Sequence, residues 1–168
     1  MQMIAVSHPR RQPIADPLPF EYDDGGRSSA GYKGSTGDCV VRAIAIATQL
    51  PYQHVYDDLN ELAKLERPRK RRNGKEGKRS GSRTGVHRAT YDKYMRSLGW
   101  QWIPTMHVGS GCTTHLAQGE IPSDRRLVVR LSRHLVAVVD GIVHDISDPC
   151  RGGTRCVYGY WQRPTVEK

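Results

Sequence analysis

Two short stretches of this chain bring together residue types that can do chemistry. The first is Gly37-Asp38-Cys39, which opens the apolar run VVRAIAIA. If that run is a helix, the Cys39 thiol lies in its first turn, where the positive end of the helix dipole favours thiolate. The Gly- and Ser-rich stretch before it (GGRSSAGYKGSTG) lets a substrate backbone approach closely. Asp38 is placed to cap the helix; it opposes thiolate formation unless it caps or pairs elsewhere. The second stretch is HLVAVVDGIVHDISDP, residues 134–149. Asp140-Gly141 is a two-residue hairpin signal. It pairs Val139 with Ile142 and Val136 with Asp145, making His134 and Asp145 diagonal neighbours on one face. An imidazole oriented by a carboxylate is what a cysteine nucleophile requires. Asp148, at the strand end, is the reserve carboxylate. Taken singly these residues have plainer readings: Cys39 as a small core hydrophobe, His134 as a hydrogen-bonded strand-end histidine, and Asp145 as a solvent-facing strand carboxylate.

Other constellations carry less. His107, Cys112 and His115, with Cys150 and Cys156 further on, contain zinc-ligating types at a spacing that matches no common zinc pattern. Cys112 with His115 three residues on is a rival nucleophile, but no buried helix is marked at its entrance. Trp100 and Trp102 alternate on one strand and read as core and groove lining rather than a stacking platform for bases. No metal and no cofactor is expected.

The elements that must position these groups follow from periodicity. Cys39 to Ala47 is apolar on nearly every face apart from Arg42, and its alanine content predicts a buried helix. A second helix starts near Pro51 with Val55, Tyr56, Leu59, Leu62 and Ala63 at helical spacing, and ends before Pro68. A third carries Val86, Ala89, Tyr91, Tyr94, Met95 and Leu98 inward and stops at Gly99. Strands follow at 100–103, 127–131, 134–139, 142–146 and 156–161. Helices first and antiparallel strands later predict an α+β domain, with a buried N-terminal helix carrying Cys39 packed on a C-terminal antiparallel sheet. Residues 1–37, with four prolines before the Gly/Ser run, read as an extended arm and flexible loop. Residues 38–168 form the single domain, interrupted by a mobile basic loop at 66–85.

The net charge of +9 is not spread evenly. Residues 61–90 hold 11 of the 26 Lys and Arg with three acids, and the remainder is close to neutral. This is a neutral protein with one basic segment. Arg69, Lys70, Arg71, Arg72, Lys75, Lys78 and Arg79 would draw an acidic partner, nucleic acid or acidic protein, with binding that falls steeply with salt. The bland alternative is a solvated loop. No run of about 18 apolar residues exists, so no membrane partner is expected. The first 20 residues lack a signal-peptide apolar region. Four cysteines without a C-x-x-C pair are too sparse for a disulfide scaffold. Free thiols and a cytoplasmic location in a bacterial cell, a phage-infected one included, are therefore expected.

On GDCVVRAIAIA and HLVAVVDGIVHDISDP the chain resembles the papain-like cysteine peptidase superfamily. In that family a Cys at the start of a central helix is followed by a distant His opening a strand and an acid or amide on the next. It also resembles the bacterial leader-peptide peptidases of that clan, where the matching acid would be Asp148, and short uncharacterised phage and bacterial proteins of this layout. The resemblance implies a papain-like fold and a Cys39, His134, Asp145 triad that hydrolyses a peptide, isopeptide or amide bond. Deamidase or acyltransferase chemistry would use the same triad. Where the family carries a glutamine oxyanion donor this chain has Lys33, so the hole would need the Cys39 N–H plus Ser35, Thr36 or Lys33. A missing donor can cost about 10²–10³ in rate. The rival expectation is a non-enzymatic module that binds nucleic acid or acidic protein through residues 64–88.

Overall fold

The computed structural model describes residues 15–67 and 72–164. It is a mixed α+β structure with three helices on one face of a six-stranded sheet, as the sequence leads one to expect. Helix α1 spans Cys39–Thr48, and every residue from Val40 to Ala47 is buried. Such a helix is apolar all round because it is covered all round. It packs on strands β3 (Arg126–Leu131) and β4 (His134–Val139) and against helix α2 (Tyr52–Lys64). Alanines at 43, 45 and 47 allow the close approach, while Val41 and Ile44 have no exposed surface. Helix α2 buries Tyr52, Val55, Leu59 and Ala63, a stripe at three- and four-residue spacing. Helix α3 (Arg88–Ser97) buries Thr90, Tyr91, Tyr94 and Met95, and ends where Gly99 turns left-handed and the Trp100 N–H bonds to the Met95 carbonyl.

The sheet order is β1-β5-β4-β3-β6-β2, where β1 is Phe20–Tyr22, β2 Gln101–Pro104, β5 Ile142–Asp145 and β6 Gly159–Gln162. Both faces are covered, so side chains alternate between two apolar clusters. Val128, Leu135, Ala137 and Trp161 face the helices. Leu127, Val129, Val136, Val138 and Val143 meet Leu18, Leu116, Ile121 and Val157 on the other side. The β4–β5 hairpin has the expected register, Val139 with Ile142, across a turn in which Asp140 (φ 49°) and Gly141 (φ 78°) are both left-handed. That is the turn whose twist matches paired strands.

The segment expected as an extended arm carries a strand the sequence did not suggest. Strand β1 (Phe20–Tyr22) pairs parallel to β5, with Tyr22 opposite Asp145. After it, the chain turns tightly over α1. Gly25 is left-handed, and a Cβ there would lie 3.1 Å from the Arg42 carbonyl oxygen, so both the backbone conformation and the close approach to α1 favour glycine.

The C-terminal part of the basic loop, Ser80 to Arg83, is tied down by hydrogen bonds. The Ser80 N–H donates to Glu66 (2.7 Å), the Ser82 N–H to Asn60 (2.9 Å) and the Gly37 N–H to the Arg83 carbonyl (3.0 Å). Arg69, Lys70 and Arg71 lie outside the described residues. The expectation of free thiols is corrected at two positions: Cys112 and Cys156 form a disulfide, with His115 and Cys156 bridged in the backbone. Partners 44 residues apart in sequence meet because the 105–116 loop folds back on the chain entering β6. Among the described residues no helix is long and apolar enough to cross a membrane.

Candidate active site

Strands β4 and β5 are antiparallel, so the first residue of one and the last of the other meet at the end of the hairpin away from its turn. His134 and Asp145 occupy those positions, and Nε2 of His134 lies 2.5 Å from Oδ2 of Asp145. Asp145 is therefore the acid that orients the imidazole. The reserve residue, Asp148, is engaged elsewhere, accepting the Cys150 N–H at 2.8 Å. Helix α1 begins at the same end of the sheet. With Nε2 on Asp145, the other ring nitrogen is left for the thiol: Cys39 borders the same cleft as His134, and the imidazole and the Leu135 backbone lie near enough to lower the thiol's pKa.

Electrostatics follow from these contacts. Burial by itself would raise the Cys39 thiol, but the hydrogen bonds from His134 and the Leu135 N–H, with the nearby His134 and Arg42 charges, hold it below the ordinary thiol value. Burial pulls His134 down, yet its bonds to Asp145 and Cys39 outweigh that and raise it to about 9. Asp145 is likewise pushed up by burial and brought below the usual carboxylate range by His134, the Ile146 N–H and Arg42. The arrangement favours a thiolate–imidazolium pair.

Behind the pair stands a buried ionic chain that sequence inspection missed. Arg42, the one charged residue in the apolar helix, reaches Asp145 Oδ1 with Nη2 (3.2 Å) and Asp38 with Nη1. Asp38 also forms an ion pair with Arg27 Nε (3.0 Å) and accepts the Tyr52 hydroxyl (2.6 Å). Burial and Asp38 together push the Tyr52 phenol well above its usual value. Asp38 does occupy the N-cap position, but it makes no capping hydrogen bond, because its carboxylate is turned to Arg42, Arg27 and Tyr52. The consequence is twofold. Its negative charge is neutralised away from Cys39, and the first-turn N–H groups, that of Cys39 among them, are not taken by its carboxylate.

Cys39 and His134 line a cleft of about 630 Å³. One wall is Gly37 with Thr84–Val86, the far end of the basic loop. A Cβ on Gly37 would come within 3.2 Å of the Thr84 carbonyl carbon, so a side chain there would push this wall outward by a few tenths of an ångström. The opposite wall is the β3–β4 turn, and Tyr91, Arg88 and Tyr158 complete the rim. Ser35 and Thr36 precede the wall without lining it; the Thr36 hydroxyl is buried without a hydrogen-bond partner. Lys33 is exposed, and its carbonyl accepts from Arg27.

The rival groups are spread differently. Cys112 is consumed in the disulfide, with His115 Nε2 at 3.4 Å from its sulfur and Glu120 at 3.1 Å from Nδ1. Among the described residues no group of three His, Cys, Asp or Glu is arranged to hold a metal ion. Cys150 is fully buried and pushed up to about 12 by burial and Asp148, a packing thiol. Trp100 is buried, and Trp102 is tilted against Trp161 at 5.5 Å. Arg72, Lys75, Lys78 and Arg79 are exposed. No family model, curated protein or solved structure matches the chain.

The coupled pair has a definite signature in stability against pH. His134, raised to about 9 in the folded chain, contributes stability that is full below about 6.5 and is lost as pH climbs toward 9, whereas Cys39, lowered in the folded chain, contributes stability that grows as pH climbs, so the two slopes oppose each other. In Cys39→Ala only His134 remains, still raised by Asp145, and its contribution is lost as pH climbs above 6.5. Urea midpoints measured across pH 6–9 are expected to be level in the native chain relative to the variant, which should slope downward. Parallel curves would show that the two groups are not coupled.

Proposed function

We propose that this chain is a papain-like thiol hydrolase that cleaves a peptide, isopeptide or related amide bond. The observation that carries the reading is one imidazole held between a thiol at the start of a buried helix and a carboxylate buried beneath it, on the floor of an open cleft. Cys39 Sγ adds to the substrate carbonyl carbon, and the carbonyl π electrons move onto oxygen, beside the Cys39 N–H. As the tetrahedral centre collapses, the C–N bond breaks and the leaving amine takes the proton from His134. Water then attacks the thioester while His134 removes its proton; the C–S bond breaks, the acid is released and the thiol is restored. Asp145 remains ionised throughout and fixes the ring. No cofactor enters these steps. The basic segment brings an acidic protein or peptide substrate to the cleft that its far end borders.

A peptidyl epoxide tests the reading. The adduct is expected on Cys39 alone, mapped by mass spectrometry, and absent from His134→Ala. An adduct on Cys150, or one that forms equally without His134, would overturn it.

A second reading has its own observation. Arg72, Lys75, Lys78 and Arg79 are exposed and without an ion-pair partner among the described residues, which suits a polyanion-binding module that does no chemistry. It expects retention on heparin that falls steeply with salt, is lost when these four are changed to Gln, and is indifferent to Cys39→Ala.

A further inference from the structure

The cleft has a one-signed lining. Arg88, Arg130 and Arg133 border it, and no Asp or Glu does. Of the acids just behind the lining, Asp145 is paired with His134 and Arg42, Asp38 with Arg42 and Arg27, and Asp92 sits at 3.3 Å from Arg88 Nε among Arg88, Arg130 and Arg96, so none of them faces the cleft unpaired. The three arginines differ in how they are held. Arg88 lies over Trp102 at 5.7 Å and is tied to Asp92. Arg130 lies over the Tyr158 ring at 5.7 Å, and among the described residues its guanidinium has no ion-pair partner. Stacking fixes the plane of the group and leaves its N–H edge for a ligand.

Arg133 is the most unusual. It occupies the turn immediately before His134 with φ 56°, in the left-handed region where glycine or asparagine is the ordinary choice. Gln49, Asp140 and Arg151 also have a positive φ, and of the four Arg133 alone borders the cleft. Strain of this kind persists where the side chain is used, and the Arg133 side chain is exposed at the cleft, beside the catalytic imidazole.

We infer that the cleft selects peptides carrying a carboxylate next to the bond that Cys39 attacks, with Arg130 and Arg133 as the groups that bind it. A guanidinium presents paired N–H donors that match a carboxylate in two parallel hydrogen bonds. The carboxylate can be an Asp or Glu side chain or the free C-terminus of the peptide; both present the same group. This inference rests on Cys39 being the nucleophile.

The test uses two alkylating reagents of nearly equal size, iodoacetate and iodoacetamide. Both consume the thiolate, so their rate ratio at Cys39 cancels the thiolate fraction and reports the pull on the carboxylate. The ratio is expected to fall about tenfold in Arg130→Gln and about tenfold in Arg133→Gly. Arg133→Gly relieves the backbone strain, so its melting temperature should not drop and the loss cannot be blamed on misfolding. Quenched peptides then separate the sources: one with an internal Glu and an amidated end, one neutral with a free end, and one neutral and amidated. A preference for either of the first two, lost in the double variant, supports the inference and says which carboxylate is read. An unchanged reagent ratio in both variants overturns it while leaving Cys39 as the nucleophile. Failure of both reagents to modify Cys39 overturns both.

Discussion

Alkylation of Cys39 by iodoacetamide at pH 6 is expected to fall roughly ten- to a hundredfold when His134 is replaced by alanine. An ordinary thiol is less than about one per cent ionised at that pH, whereas a thiol paired with an imidazolium is substantially ionised. The gain in rate is smaller than the gain in thiolate, because nucleophilicity declines as the thiol becomes more acidic. That partial cancellation sets the range. Asp145→Asn keeps a hydrogen-bonding partner for the ring but removes its charge, so a smaller loss, with the rate–pH profile displaced upward, is the expected result. The measurement has internal controls: Cys150 is fully buried with its thiol pushed up to about 12, and Cys112 and Cys156 are bonded to each other. If the native profile climbs only near the pH of a free thiol, or His134→Ala reacts at the native rate, the pair does not exist in solution.

Replacing Arg42 by methionine is expected to be the most destabilising single change in the site. The guanidinium is buried between two carboxylates that are themselves 1% and 3% exposed. Removing the shared cation strands charge in the interior, at a cost of about 3–5 kcal/mol. For a domain of this size each kcal/mol lowers the melting temperature by roughly 2–4 °C. Asp38 retains Arg27 and Tyr52, whereas Asp145 keeps only the Ile146 N–H and His134, so the larger share of the cost falls on Asp145. Asp145→Asn added to Arg42→Met should therefore recover more stability than Asp38→Asn does. Calorimetry on the three variants checks this. A fall of less than about 3 °C in Arg42→Met would mean that the buried chain is not what holds the acid in place.

What could be read from the sequence is what neighbouring residues decide among themselves. Asp140-Gly141 states its turn locally, and the turn sets the register that brings Asp145 to His134. The run after Cys39 states its burial on every face. What escaped depends on partners far away in the chain. Arg42 looks like a flaw in an apolar helix until Asp145 arrives across a separation of 103 residues. Asp38 looks like a cap because the residues that claim its carboxylate are Arg27 and Tyr52, neither of which a capping rule considers. Strand β1 is three exposed residues with no alternation to betray it, and it exists because β5 offers a free edge. The Cys112–Cys156 pair was hidden for the same reason: spacing says nothing about which loops close on which.

The order of the elements along the chain also sets when the site can exist. A ribosome making this chain exposes β1, the thiol, its helix and Arg42 early. His134 and Asp145 come out only in the last third, after all three helices. Until then the emerging polypeptide carries a cysteine without the imidazole that ionises it, and Arg42 without one of its two carboxylates. The last step is long-range and slow by nature, the return of a late strand to lie beside the earliest one. On the function proposed above, the nascent protein is thus chemically quiet toward its neighbours while it is being made, and its thiol gains its imidazole only when β4 and β5 join α1.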